Sequence, residues 1–146
     1  MSIVEKSLER PIRIVVVDDD EVFCESLTKV LKPHDMHVLR SENLMDAGRM
    51  VQEEGAELLL VASDSMERWG VHHMDEIARD YPGLRIVLTA SGGSVHCNVG
   101  GLRRGAWGCL VKFFPKHYWV QVLQSALSVF VVGGLVVGSI VAHVRL

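Results

Sequence analysis

The sequence has 146 residues, 49% of them hydrophobic and 23% charged, with a formal net charge of −3. That length supports one domain with a real core, and the mixed, slightly acidic charge excludes a nucleic-acid-binding surface built from this segment alone.

Residues 1–10 read as an N-terminal tail; "MSIVEKSLERP" carries early charges and no apolar h-region, so no secretory signal is visible. "PIRIVVVD", residues 11–18, is a β-branched run closing on acids, the pattern of a strand buried on both faces. "EVFCESLTKVLKP" follows as a helix with Val22, Phe23, Leu27, Val30 and Leu31 on one face and Pro33 as a stop. "MHVLR" is a short strand. "NLMDAGRMVQEEG" is a helix with Asn43 as N-cap and Gly55 just past its end. "AELLLVA" is the third strand, "VHHMDEIARDYPG" a helix closed by Pro82 and Gly83, and "LRIVLTA" the fourth strand. "SVHCNVGGLRRG" is a weaker helix, because Gly100 and Gly101 each cost about 1 kcal/mol relative to alanine. "GCLVK" is the fifth strand and "KHYWVQVLQSALSVF" the fifth helix.

From Tyr118 to Ala142 no side chain carries a formal charge, a length that would span a bilayer. Gln121, Gln124, Ser125 and Ser128 recur at helical spacing, and Gly133, Gly134 and Gly138 interrupt the second half. A surface helix followed by an apolar turn is therefore expected, and no membrane span. The odd set of cysteines, Cys24, Cys97 and Cys109, sits in apolar or glycine-rich surroundings and reads as reduced, partly buried thiols of a cytoplasmic protein.

Strand and helix thus alternate five times, which implies a doubly wound parallel sheet with helices on both faces. In such sheets functional groups gather at the carboxyl ends of the strands. The first strand ends in Asp18, Asp19 and Asp20. Adjacent carboxylates disfavour joint ionisation unless a cation or donor compensates them, and a hard ion such as Mg²⁺ would do so. The alternative is a solvated acidic turn in which Asp20 caps the next helix. The fourth strand ends in Thr89-Ala90 and the fifth in Lys112, a point cation, so acids, hydroxyl and lysine converge on one pocket.

"IRIVVVDDD", "LRIVLTASG" and "GAWGCLVKFF" resemble the signature segments of response-regulator receiver domains, over roughly residues 11–131. The resemblance implies a five-stranded (βα)5 flavodoxin-like fold with strand order 2-1-3-4-5. It also implies a Mg²⁺-dependent aspartyl-phosphate switch. Asp18 and Asp19 match the acid pair that would hold the metal, Thr89 the hydroxyl that follows the phosphoryl group, and Lys112 the lysine that pairs with it.

Departures from that pattern decide the expected function. In the family the phosphoacceptor aspartate ends the third strand, eight residues before a glycine; counting back from Gly70 reaches Ala62. A methyl group cannot attack phosphorus. Asp64 would need the following loop shortened by two residues, and in the family its position lends a backbone carbonyl to the metal. Cys109 stands where the family has its switch aromatic, and Phe113 where it has a proline after the lysine. A cis bond before a non-proline residue costs about 2.5–4 kcal/mol, so a trans, altered loop is expected. The expectation is a pseudo-receiver, neither phosphorylated nor an enzyme, with no cofactor beyond Mg²⁺ at the acid pair. Lys112 then serves as a structural cation neutralising the acids.

The remaining features have plain readings. Adjacent His72 and His73 point about 100° apart on a helix and lack further ligands, so they read as a solvated helix start. Trp69, Trp107 and Trp119 are not spaced as a stacking platform and read as core or interface packing. Residues 132–146, from "LSVFVVGGLVVGSIVAHVRL", resemble the apolar stretch and linker helix that follow the receiver in LuxR-type transcriptional regulators. That similarity implies a DNA-binding output domain beyond Leu146; a chain ending there would instead be a single-domain interaction module. The apolar last helix and tail lead to an expected homodimer. Two alternatives remain: a small-molecule sensor using the pocket vacated at Ala62, and a phosphoacceptor using Asp64.

Overall fold

A computed structural model describes residues 11–63, 71–91, 108–127, 130–132 and 135–137. The strands are β1 (Ile12–Val17), β2 (Met36–Ser41), β3 (Leu58–Ala62), β4 (Arg85–Ala90) and β5 (Gly108–Val111). They form one parallel sheet in the order β2-β1-β3-β4-β5, flanked by α1 (Glu21–Leu31), α2 (Leu44–Glu54), α3 (Val71–Asp80) and α4 (Lys116–Leu127). This is the doubly wound fold expected. The helix read over residues 94–105, together with Cys97, Trp69 and Trp107, lies outside the described residues, as does the tail of residues 1–10.

Successive strand side chains point to opposite faces, so each strand feeds two cores. Ile14, Val16, Leu58, Leu60, Val87 and Leu110 pack with Phe23, Leu27 and Leu31 of α1 and with Trp119 and Leu123 of α4. Their neighbours Val15, Val17, Leu59, Val61, Ile86 and Leu88 pack on the other side with Leu44, Ala47 and Val51 of α2 and with Met74 and Ile77 of α3. Covering both faces is why the strands read as unbroken apolar runs.

Helix ends follow the sequence signals closely. Asn43 accepts a hydrogen bond from the Asp46 N–H at 2.8 Å, and Gly55 closes α2 with φ 64°, a left-handed conformation that costs glycine little. Asn43→Ala is expected to destabilise the domain by about 1 kcal/mol, read from the urea unfolding midpoint.

Two local expectations need correction. Val22, placed on the buried face of the first helix, is 75% exposed, and Cys24 is buried instead. Phe23, Cys24, Leu27 and Leu31 define the inward stripe, and one residue before Phe23 lies about 100° away from it. The second correction concerns the tail, where the start of a linker helix was expected. α4 ends at Leu127, and β6 (Phe130–Val132) pairs antiparallel with β7 (Leu135–Val137). The β-branched composition of Phe130–Val132 and Leu135–Val137 favours strand over helix.

Candidate functional site

The parallel register sets the strand ends in one layer. Val17 pairs with Val61, Ala62 with Thr89, and Ala90 with Val111. Asp18, Ala62, Thr89 and Lys112 each follow by two residues an inward-facing Val16, Leu60, Val87 and Leu110. The alternation of a strand therefore directs all four to the α1/α4 side of the carboxyl edge. The four residues singled out from the sequence are thus brought together, although they lie up to 94 positions apart (112 − 18).

Asp18 is the centre of the arrangement and is only 4% exposed. Its Oδ2 accepts from Lys112 Nζ at 2.7 Å and from the Thr89 hydroxyl at 3.2 Å. Its Oδ1 accepts from the Asp20 N–H at 3.0 Å. The backbone carbonyl accepts from Arg40 Nε at 3.0 Å, and the Cys24 thiol approaches it at 3.8 Å. Every acceptor of Asp18 is therefore engaged, which is what a nearly buried carboxylate requires. Lys112 also reaches Asp20 Oδ2 at 3.3 Å and lies 4.6 Å from the centre of the Phe23 ring. Phe23 in turn meets Trp119 edge to face at 5.2 Å, and Trp119 Nε1 donates to the Val111 carbonyl at 3.3 Å. An ammonium over an aromatic face and between two carboxylates is held by charge, quadrupole and geometry together.

Asp20 caps α1, its Oδ1 accepting from the Phe23 N–H at 3.0 Å. That bond, opposed by partial burial and helped by Lys112, holds its carboxyl below the ordinary 3.8. The folded value is depressed, so the stabilisation is complete above the unfolded value and is lost as pH falls through the folded one. Asp20→Asn keeps a capping oxygen without the charge. The melting-temperature gap between wild type and this variant is expected to close as pH falls below 3.8.

Three contributors escaped the sequence reading: Ser63, Arg40 and Phe23 in its role beneath Lys112. Ser63 is buried, and its hydroxyl donates to the Thr89 carbonyl at 3.2 Å, tying the ends of β3 and β4. Arg40 sits on the edge strand β2, two strands from β3, and also meets Glu21 at 3.4 Å. Only the parallel pairing of β2 beside β1 carries it to Asp18; no local signal marks it. Asp19 is exposed. Asp64 lies outside the described residues.

At the switch positions, Cys109 is half-buried and packs against the α2/α3 core. The Lys112–Phe113 bond is trans, and the Phe113 side chain is 65% exposed. Phe113, Phe114 and Tyr118 form an edge-to-face series with ring centres 5.0 and 5.1 Å apart. Cys24 is a buried thiol pushed above its ordinary value by burial and then by the Asp18 charge, so it stays protonated and unreactive at neutral pH. Two grooves, of ≈ 350 Å³ beside Arg40 and ≈ 300 Å³ between α2 and α3, are lined by neither Ala62 nor Lys112. Among the described residues no helix is long and apolar enough to cross a membrane.

Sheet order and strand-end chemistry define a doubly wound α/β domain whose candidate site lies at the carboxyl edge. Residues 14–124 match the response regulator receiver domain family, and the chain belongs to it. It is 24% identical over 119 residues to the transcriptional regulatory protein GlrR of Escherichia coli K12. That similarity covers 82% of this chain and 27% of GlrR, so the chain spans about a quarter of the length of the curated relatives it matches. Among solved structures it resembles NtrX from Brucella abortus with a TM-score of 0.71 and 22% identity, over 80% of this chain and 26% of that one. A response regulator from Thermotoga maritima gives a TM-score of 0.72 at 16% identity, over 81% and 98% of the two chains.

The Mg²⁺ ion that the family implies would fall to Asp18 and Asp19, and the end of β3 adds no oxygen ligand to them. Mg²⁺ demands near-octahedral oxygen ligation at about 2.0–2.1 Å. Asp18 Oδ2 is instead occupied by an ammonium at 2.7 Å, Asp20 Oδ1 by the helix cap, and the end of β3 offers a methyl group. Among the described residues no three His, Cys, Asp or Glu side chains are grouped so as to hold a metal.

Proposed function

We propose that this chain is the receiver module of a transcriptional regulator that works without aspartyl phosphorylation, as an interaction and dimerisation unit and not as an enzyme. The observation that carries this reading is the layer at the carboxyl edge. Ala62 ends β3 in register with Thr89, while Thr89 and Lys112 both turn to Asp18. The groups that would follow and neutralise a phosphoryl group are committed to an internal partner. Cys109 and the exposed Phe113 leave no aromatic at the switch position to report a hydroxyl's movement.

Similarity to GlrR, a transcriptional regulatory protein, supports a transcriptional output, carried by an attached or associated DNA-binding domain. The LuxR-type tail gains nothing from residues 135–137, which are strand where a linker helix was read. Reduced thiols at Cys24 and Cys109 fit a cytoplasmic setting. Adding beryllofluoride with Mg²⁺ tests the phosphorylation-independent reading: amide chemical shifts around Thr89 and Lys112 stay unchanged if it is right and move if it is wrong. Light scattering at tens of micromolar tests the dimer, and a monomeric mass would contradict it.

A further inference from the structure

We propose that the groove between α2 and α3 is a docking site for a protein segment that pairs an apolar side chain with arginine. Such a partner gives content to the interaction role proposed above, on which this reading rests, and owes nothing to the chemistry at Ala62. The groove has a volume of ≈ 300 Å³. Leu44 and Ile77 form its buried floor, and Met45, 64% exposed, its apolar lip. Methionine is flexible and polarisable and adapts to varied apolar partners. Glu76 and Asp80 stand on the α3 side, both exposed. Among the described residues no lysine or arginine lines the groove, and Arg49, beside Gly48 in sequence, pairs with Asp46 at 3.6 Å.

Three residues here are locally unfavourable choices. Gly48 sits inside α2, where glycine is less stable than alanine. Neither backbone nor packing requires it. Among the described glycines only Gly55 has a positive φ, and a methyl at Gly48 would lie 3.4 Å from Ile77 Cγ1 and 3.8 Å from Cδ1, at van der Waals contact. Glu76 and Asp80 are one turn apart, so like charges meet, and Asp80 ends α3, where the helix dipole disfavours an anion. The His73 imidazole comes only within 4.0 Å of Glu76. Sequences break local rules together where function requires it. A docked segment would use each of these choices. Gly48 leaves room over the floor for an apolar side chain, and the two carboxylates suit a guanidinium fork. Tyr81, whose hydroxyl donates to Gln52 Oε1 at 3.3 Å, adds an aromatic ring against which a guanidinium can lie.

Random dodecapeptides displayed on phage and selected against the full chain test the proposal. Enriched peptides are expected to carry arginine beside leucine, isoleucine or phenylalanine. Binding of the synthetic peptides, read by fluorescence polarisation, is expected to weaken as salt rises, and by about tenfold or more in Glu76→Lys with Asp80→Lys. Gly48→Ala is expected to weaken it about threefold while raising the melting temperature by roughly 3 °C, so that lost binding is not lost folding. Enriched peptides without basic residues, no enrichment, or binding indifferent to these variants overturns the proposal. A dimer in light scattering that Glu76→Lys with Asp80→Lys dissociates would overturn it as well, by giving the groove to a second copy. Intact mass after acetyl phosphate bears on phosphorylation alone, so a failure there and a failure here are separate results.

Discussion

Lys112→Met is expected to destabilise the domain by about 3 kcal/mol, the usual cost of breaking a buried ion pair by removing one partner. The pair is well desolvated, with side chains 14% and 3% exposed at 2.7 Å. Without the ammonium, the partners left to the Asp18 carboxylate among the described residues are the Thr89 hydroxyl and the Asp20 N–H, against a full burial penalty. Asp18→Asn together with Lys112→Met removes both charges, and an amide oxygen still serves the Asp20 N–H. The double variant should therefore be more stable than the sum of the two single losses, with a coupling of about 2 kcal/mol from the cycle. Urea unfolding of the four proteins measures it. A loss under about 1 kcal/mol for Lys112→Met would show that the pair is a surface-type contact of the ordinary weak kind.

Ala62→Asp carries the second large effect. The substitution places a carboxylate at the end of β3, opposite Thr89 and on the sheet face of Asp18 and Lys112. In the absence of Mg²⁺ it adds a like charge to a nearly buried site and should cost about 2 kcal/mol. It also supplies the missing oxygen nucleophile and a third hard ligand, so beryllofluoride with Mg²⁺ should restore much of the lost melting temperature. Wild type should show no such gain. An Ala62→Asp protein that ignores beryllofluoride would mean that more than the acceptor has been lost, with Cys109 and the exposed Phe113 the first suspects.

Most of the fold is legible in the sequence because both-face burial leaves a strong mark. Five apolar runs alternate with helical stripes, and caps such as Asp20 and Asn43 stand where the helices begin. The site residues are legible for a different reason: Asp18, Thr89 and Lys112 are strand-end residues, and parallel register brings strand ends together. What stays hidden is pairing across the sheet. Nothing near Arg40 announces a bond to the Asp18 carbonyl, and nothing near Ser63 announces the Thr89 carbonyl, because each bond is set by which strand lies beside which. The cation–π seat of Lys112 depends on Phe23, whose apolar character reads as core and whose face toward the lysine is a tertiary fact. The tail misled because uncharged valine-rich residues suit a buried helix or a strand equally, and Phe130–Val132 and Leu135–Val137 pair as strands.

The reading of Ala62 as the place where phosphorylation was given up is tested most directly by intact mass after incubating the wild-type chain with acetyl phosphate and Mg²⁺. The expected result is an unchanged mass alongside an Ala62→Asp protein that gains one phosphoryl group. A phosphoryl adduct on the wild-type chain, mapped to Asp64 or any other carboxylate of this edge, would contradict it.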